Sequence, residues 1–334
     1  MTDLFGLPKA ELHLHIEGTL EPELAFALAR RNKIAMPFGS VEELRAAYRF
    51  QNLSSFLDVY YAAMACLRTE DDFADLARAY LDRAAAQGVR HAEIFFDPQA
   101  HLGRGVPLEA VIDGLTAALA EAERDHGISG GLILCFLRDM PAAEADAVLT
   151  AALPRRADLL GVGLDSAEVG NPPERFAEVF RRAREAGLRA VAHAGEEAPP
   201  EYVWQALDLL GVERIDHGIR AVEDAALVDR LAAEAVPLTV CPLSNVRLKA
   251  VADLAAHPLP ELIERGVAVT INSDDPAYFG GYIGDNFKAV ADQFGLSPDA
   301  AATLARTSFT ASFLEPARER VLLAEVDAWE AAQA

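Results

Sequence analysis

Residues 159–196 read LLGVGLDSAEVGNPPERFAEVFRRAREAGLRAVAHAGE, and this stretch decides the fold. It opens on an apolar run, Leu159–Asp165, and closes on a second, Leu188–His193. Between them Pro172 and Pro173 open a helical stretch with Phe176, Val179, Phe180 and Ala183 on one face and Gly187 at its end. Near-continuous apolar runs joined by an amphipathic helix predict parallel strands covered on their outer side.

The alternation continues in both directions. Glu11–Ile16, Val89–Phe96 and Gly131–Leu137 precede the unit, and Arg214–His217, Pro237–Cys241 and Val267–Ser273 follow it. Eight strands alternating with helices in 334 residues predict an α/β fold, a (β/α)8 TIM barrel rather than an open sheet. Between strands one and two the spacing is far longer than one β–α unit needs. Residues 17–88 are therefore expected to form a helical cap insertion, in which Thr69 and Asp72 start a helix carrying Phe73, Leu76, Tyr80, Leu81 and Ala84. No repeat or linker divides the chain, so 1–334 is expected to be one domain.

Composition narrows the partners. Against 52 Asp+Glu stand 30 Lys+Arg, a net charge of −22, which argues against nucleic acid and anionic membrane surfaces. No apolar run reaches the roughly 18 residues of a membrane span, and the start MTDLFGLPKAEL lacks the features of a secretory signal. Cys66, Cys135 and Cys241 are few, odd in number and widely spaced, which suits a reducing cytoplasm. Oligomeric state is not legible.

Barrel enzymes carry their chemistry at the C-terminal ends of the strands. There the sequence places His13-Leu14-His15, His193-Ala194-Gly195-Glu196, Asp216-His217-Gly218 and Ser273-Asp274-Asp275-Pro276. His13 and His15, two apart, point to one side of their strand, here the interior. Two imidazoles, a third from His193 and one carboxylate make a nitrogen/oxygen set suited to zinc. Burying so many titratable groups without a metal or mutual pairing is costly. Glu196 is placed to move a proton, and His217 to orient or deprotonate a water at the metal. Alternation sends one of Asp274 and Asp275 toward the metal and the other elsewhere.

Together PKAELHLHIEGTL, HAGE, DHGIR, CPLSNVRL and TINSDDPAYFG resemble the adenosine/adenine deaminase branch of the amidohydrolase superfamily, in order and over nearly the whole chain. HIEG and NSDDPAYFGGY are most similar to the adenine deaminase subgroup. The resemblance implies zinc-dependent hydrolytic deamination of adenine to hypoxanthine and ammonia, in purine salvage. It implies one zinc ion on His13, His15, His193 and Asp274, with Glu196 as proton donor to purine N1 and His217 positioning the hydroxide. It further implies Asp275 at ring N7 and the Gly163 N–H at ring N3. Glu17 stands where adenosine deaminases meet ribose, so a longer carboxylate there favours the free base; the plain alternative is that Glu17 caps the helix starting near Leu20–Leu24. Adenosine and N6-substituted adenines such as isopentenyladenine stay open as alternative substrates. A binding barrel without catalysis is disfavoured, since a binder needs neither Glu196 nor His217.

Other motifs are set aside. His91-Ala92-Glu93 lacks a PCxxC partner and reads as ordinary strand sequence, and Gly161-Val162-Gly163 lacks the third glycine of a dinucleotide fingerprint. Strand four carries no lysine to bridge two metals, which favours a single zinc. His101, His126 and His257 fall in loop or helix contexts and are expected to be solvated. Phe50, Phe56 and Leu57 are candidates for the apolar wall of the pocket. Ser244, Asn245 and Asn286 sit near strand ends or in loops without an assigned role.

Overall fold

The computed structural model describes residues 3–333. Eight parallel strands follow one another around a single sheet: β1 (Lys9–His15), β2 (Val89–Phe96), β3 (Ser129–Leu137), β4 (Leu159–Asp165), β5 (Arg189–Ala194), β6 (Arg214–His217), β7 (Leu238–Val240) and β8 (Val269–Ile271). This is the expected (β/α)8 barrel. β2, β4 and β6 have the boundaries read from sequence; β7 and β8 shrink to three residues each. The seam between β8 and β1 closes through a few bonds. His15 N–H donates to the Asp274 carbonyl at 3.1 Å and Asp274 N–H to the His13 carbonyl at 3.0 Å, while Asn272 Oδ1 accepts from Leu12 N–H at 2.9 Å. Metal-ligating residue types from both ends of the sheet are thereby drawn to one rim.

The long segment after β1 divides in two. Helices α1 (Pro22–Asn32), α2 (Val41–Ala46) and α3 (Leu53–Ala63) stand over the strand ends, but α4 (Glu70–Ala86) is an ordinary barrel helix packed along Leu108–His126 and β2. The expected 17–88 insertion is thus covered in its last turns by the outer layer of the barrel. Thr69 and Asp72 form the reciprocal capping box that starts α4. The Asp72 carboxylate also accepts from Asn32 Nδ2 at 2.7 Å and Arg31 Nε at 3.0 Å, tying α1 to the barrel. Aromatic packing seats α3: Phe56 lies 4.7 Å from Phe279 and 5.3 Å from Phe50 between ring centroids.

The barrel has a second buried polar layer away from the rim. Arg214, at the start of β6, pairs with Glu93 of β2 at 2.7 Å, and His91 Nε2 lies 3.2 Å from the same carboxylate. The His-Ala-Glu motif is therefore structural. The Arg214 charge holds Glu93 at about 2 against the opposing effect of burial. No described helix is long and apolar enough to cross a membrane.

Candidate active site

Strand ends, not loops, hold the central groups. Nε2 of His15 lies 3.1 Å from Nε2 of His193, and Asp274 Oδ1 lies 3.5 Å from His13 Nε2 and 3.6 Å from His15 Nε2. Each ring is oriented from behind. His193 Nδ1 faces the Leu164 carbonyl at 3.1 Å, and His13 Nδ1 faces the Thr239 carbonyl at 3.2 Å and its hydroxyl at 2.9 Å. A carbonyl only accepts, so both Nδ1 atoms carry the proton and both Nε2 atoms present lone pairs. Thr239 in turn donates to Asp216 at 2.8 Å, and Ser244 donates to Asp274 Oδ2 at 2.6 Å.

These donors fit a metal. His13 Nε2 is buried without a hydrogen-bond partner, an arrangement that is costly unless a cation accepts its lone pair. Tetrahedral zinc with bonds of about 2.0–2.1 Å needs neighbouring donors roughly 3.3 Å apart; three donor pairs of this set lie at 3.1–3.6 Å, and the four groups whose donor atoms all lie within 4.8 Å of one another are His13, His193, His217 and Asp274. His217 also lies near, its Nε2 3.7 Å from Asp274 Oδ2 and 3.5 Å from Glu196 Oε2. Burial opposes ionisation of Asp274, but the adjacent His13 holds it well below the usual carboxylate range. Burial drives His193 well below its ordinary value and His15 down to about 4, leaving both neutral.

Backbone strain collects at the same rim. Asp274, His217 and Ser166 adopt left-handed conformations at φ 64°, 62° and 71°, which non-glycine residues seldom do. Gly18 of the HIEG motif lies so close to Asp275 that a Cβ would fall 2.7 Å from its Cα. Only glycine admits that approach.

Glu196 Oε1 is buried without a partner, and Glu196 lines a cavity with His15, His193, His217, Asp274 and Asp275. Burial, reinforced by the charges of Asp274, Glu168 and Glu197, pushes Glu196 well above the carboxylate range, which favours its protonated form. Burial and the adjacent Asp274 do the same to Asp275. The loop bearing Glu196 is fixed by one residue that sequence reading missed. The Glu168 carboxylate accepts the backbone N–H groups of Gly195, Glu196, Glu197 and Ala198 at 2.6, 3.1, 2.7 and 2.8 Å.

Two expected substrate contacts fall elsewhere. Gly163 lies within β4, two residues short of its end, where a Cβ would strike Cys135 Sγ at 2.5 Å; Asp165 and Ser166 line the cavity in its place. Glu17 is fully buried behind the wall, and its Oε1 accepts from His101 Nε2 at 2.7 Å and Asp97 N–H at 3.1 Å. It does not cap the next helix, whose N-cap is Glu21. Asp97, overlooked in the sequence, lines the cavity instead. His101 and His257 are buried rather than solvated, each taken up by a polar partner, Glu17 or Asn245; His126 is exposed as expected. Phe56 and Leu57 line the cavity; Phe50 stands behind Phe56.

A barrel that gathers imidazoles and a carboxylate from β1, β5 and β8 at one rim has the architecture of the amidohydrolases. Sequence comparison narrows this further: the Adenosine deaminase family profile matches residues 8–329, and the chain belongs to that family. An adenine deaminase of Streptomyces coelicolor is 63% identical, covering 98% of this chain and 96% of that protein. One of Sphingopyxis alaskensis is 60% identical over 97% and 95%. The crystal structure of adenine deaminase from Arthrobacter aurescens superposes with a TM-score of 0.96 at 59% identity, covering 98% and 100%. A Burkholderia ambifaria amidohydrolase solved with bound Zn reaches 0.90 at 28% identity, covering 98% and 93%.

Proposed function

We propose that this chain deaminates adenine hydrolytically to hypoxanthine and ammonia, with one zinc ion held by His13, His15, His193 and Asp274. The observation that carries the reading is Glu196, a buried carboxyl with Oε1 unpartnered and Oε2 3.5 Å from His217 Nε2, in the same pocket as His15 and His193. The relatives named adenine deaminase support the choice of substrate.

His13, His15, His193 and Asp274 would hold the zinc, which when bound would act as a Lewis acid and bring the pKa of water down to about 7. Glu196 donates its proton to ring N1, so the six-membered ring takes up an electron pair as the water oxygen adds at C6. The carboxylate left on Glu196 takes one proton from the adding water and passes it to the 6-amino group; as the C6–N bond breaks and ammonia leaves, the remaining hydroxyl proton returns to Glu196 and C6=O forms. Asp275, with Oδ1 unpartnered and its pKa raised by burial and by Asp274, is placed to donate to ring N7. Phe56, Leu57 and Tyr60 of α3 supply an apolar wall beside the ring.

The wall supports a free base over a nucleoside. In the six-membered ring N3 lies diagonally opposite C6, so a base with C6 at the histidines turns its N3/N9 edge to the remaining strands. There Asp97 after β2 and Asp165 at the end of β4 bring carboxylate oxygens within 4.8 Å of each other and of a ring nitrogen of His15. Asp97 Oδ1 and both oxygens of Asp165 are buried without partners. Burial and the neighbouring carboxylates hold Asp97 well above the carboxylate range, whereas Asp165 stands at about 7, so an ionised Asp165 accepts the N9–H that adenine has and adenosine lacks. Glu17 serves this edge indirectly by holding the Asp97 backbone. Three unpaired buried cysteines support a cytoplasmic location.

Ammonia release from adenine, adenosine and N6-isopentenyladenine, with and without a chelator, tests the proposal. Adenine is expected to have the highest kcat/KM and to lose turnover on metal removal; preference for adenosine refutes the substrate.

A further inference from the structure

We propose that Asn245 and His257 are positioning residues that fix the proton of His217 on Nε2. His217 then meets the reacting water as a hydrogen-bond donor, and neither ligates the metal nor removes the water's proton. The proposal rests on the reading above only for its kinetic arm.

The argument starts from a group whose polarity is fixed. The backbone N–H of Leu259 only donates, and it lies 3.0 Å from His257 Nδ1. His257 is buried, and burial pushes it down to about 4, so the ring is neutral and holds a single proton. With Nδ1 accepting, that proton sits on Nε2. His257 Nε2 lies 3.1 Å from Asn245 Oδ1, which turns the amide oxygen toward His257 and the NH2 group toward His217. Asn245 Nδ2 is 3.2 Å from His217 Nδ1. An amide nitrogen only donates, so His217 Nδ1 accepts and its proton resides on Nε2.

The polarity is opposite to that of His13 and His193. Those rings give their Nδ1 protons to Thr239 and to the Leu164 carbonyl and present Nε2 lone pairs. His217 presents an N–H, and it faces acceptors: Glu196 Oε2 at 3.5 Å and Asp274 Oδ2 at 3.7 Å. By distance alone His217 joins His13, His193 and Asp274 in a possible metal cluster. The relay removes it from the ligand set and leaves the third imidazole position to His15. Reversing the relay would set the Leu259 N–H against a ring N–H in a buried site, where neither has another partner to turn to.

Long-range 1H–15N NMR of the zinc-loaded enzyme tests the proton position directly. Protonated Nε2 and unprotonated Nδ1 on His217 are expected; the reverse assignment overturns the proposal whatever the substrate. Asn245→Asp keeps the size but accepts from both histidines, moving the His217 proton to Nδ1. It is expected to lower kcat by about 100-fold or more, with zinc content unchanged and KM for adenine shifted far less than kcat. His257→Gln, whose amide still donates to Asn245, is expected to retain the Nε2 proton and most activity, whereas His257→Phe loses both. If Asn245→Asp folds poorly, the His257 pair decides. Equal kcat in the Gln and Phe variants, or near-normal kcat in Asn245→Asp, contradicts the proposal. Absence of ammonia release from adenine by the wild type would instead defeat the substrate reading, and the NMR assignment would still decide the relay.

Discussion

His15 on β1 and His193 on β5 point Nε2 at Nε2 across 3.1 Å. The Nδ1 proton of His193 is committed to the Leu164 carbonyl, while His15 Nδ1 faces Asp165 Oδ2 at 3.5 Å. Two neutral imidazoles held in this way bring their lone pairs together, which is unfavourable until a cation lies between them. Stripping zinc is therefore expected to lower Tm as well as abolish turnover. Zinc present at 100 times its Kd stabilises the fold by about 2.7 kcal/mol, so calorimetry of the metal-free and reloaded enzyme checks this. An unchanged Tm would mean that the cluster does not bind the ion in the folded state.

Glu196→Gln keeps the shape of the side chain but removes the proton. We expect full zinc content and a loss of about 10²–10⁴-fold in kcat. Metal analysis and steady-state kinetics on one preparation suffice, and near-normal turnover would deny Glu196 its role.

Glu168 acts on Glu196 through the backbone. Its carboxylate alone satisfies four consecutive N–H groups, so Glu168→Ala leaves them unpaired in a buried loop. Stability is expected to fall by about 2–4 kcal/mol and kcat by about tenfold or more as Glu196 loses its position. Denaturant unfolding and kinetics measure the two effects separately.

Asp165→Asn replaces the proposed acceptor of N9–H with an amide of equal size. The kcat/KM for adenine is expected to fall by about 10–100-fold, the worth of one hydrogen bond to a charged group, while 9-methyladenine, which has no N9–H, changes little. A preserved ratio between the two substrates would show that shape, and not the carboxylate, selects the base.

Far from the site, the Glu93–Arg214 pair sets a pH dependence of folding. Glu93 titrates at about 2 in the folded chain against an ordinary 4.5. The folded state thus binds fewer protons than the unfolded one in this window. Stability from the pair is full above about pH 4.5 and lost as pH falls toward 2, a change of roughly 3 kcal/mol. Glu93→Gln is expected to be less stable at neutral pH and to approach wild type on acidification, as urea unfolding across that range can follow.

The strands were legible because β4 and β5 are apolar runs with a well-punctuated helix between them. His13, His15, His193 and Asp274 were legible because strand ends in a barrel converge wherever the strands lie in sequence. Glu17 misled because its position after β1 was visible but its partner was not: His101 is 84 residues away. His257 carried no sign of burial, since its short flanking elements have no periodicity to show which side faces inward. Glu168 and Asp97 act only through contacts with residues remote in sequence, so neither spacing nor pattern marks them. The cap was overextended because α4 differs from the cap helices in what it packs against, not in its amphipathic pattern.

The central claim is tested most directly by one comparison: kcat/KM for adenine against adenosine, from ammonia release by the zinc-reconstituted enzyme and by the same sample after chelation. Adenine is expected to be strongly preferred, chelation to abolish the activity and added zinc to restore it. Undiminished turnover without metal, or adenosine as the better substrate, would contradict that claim.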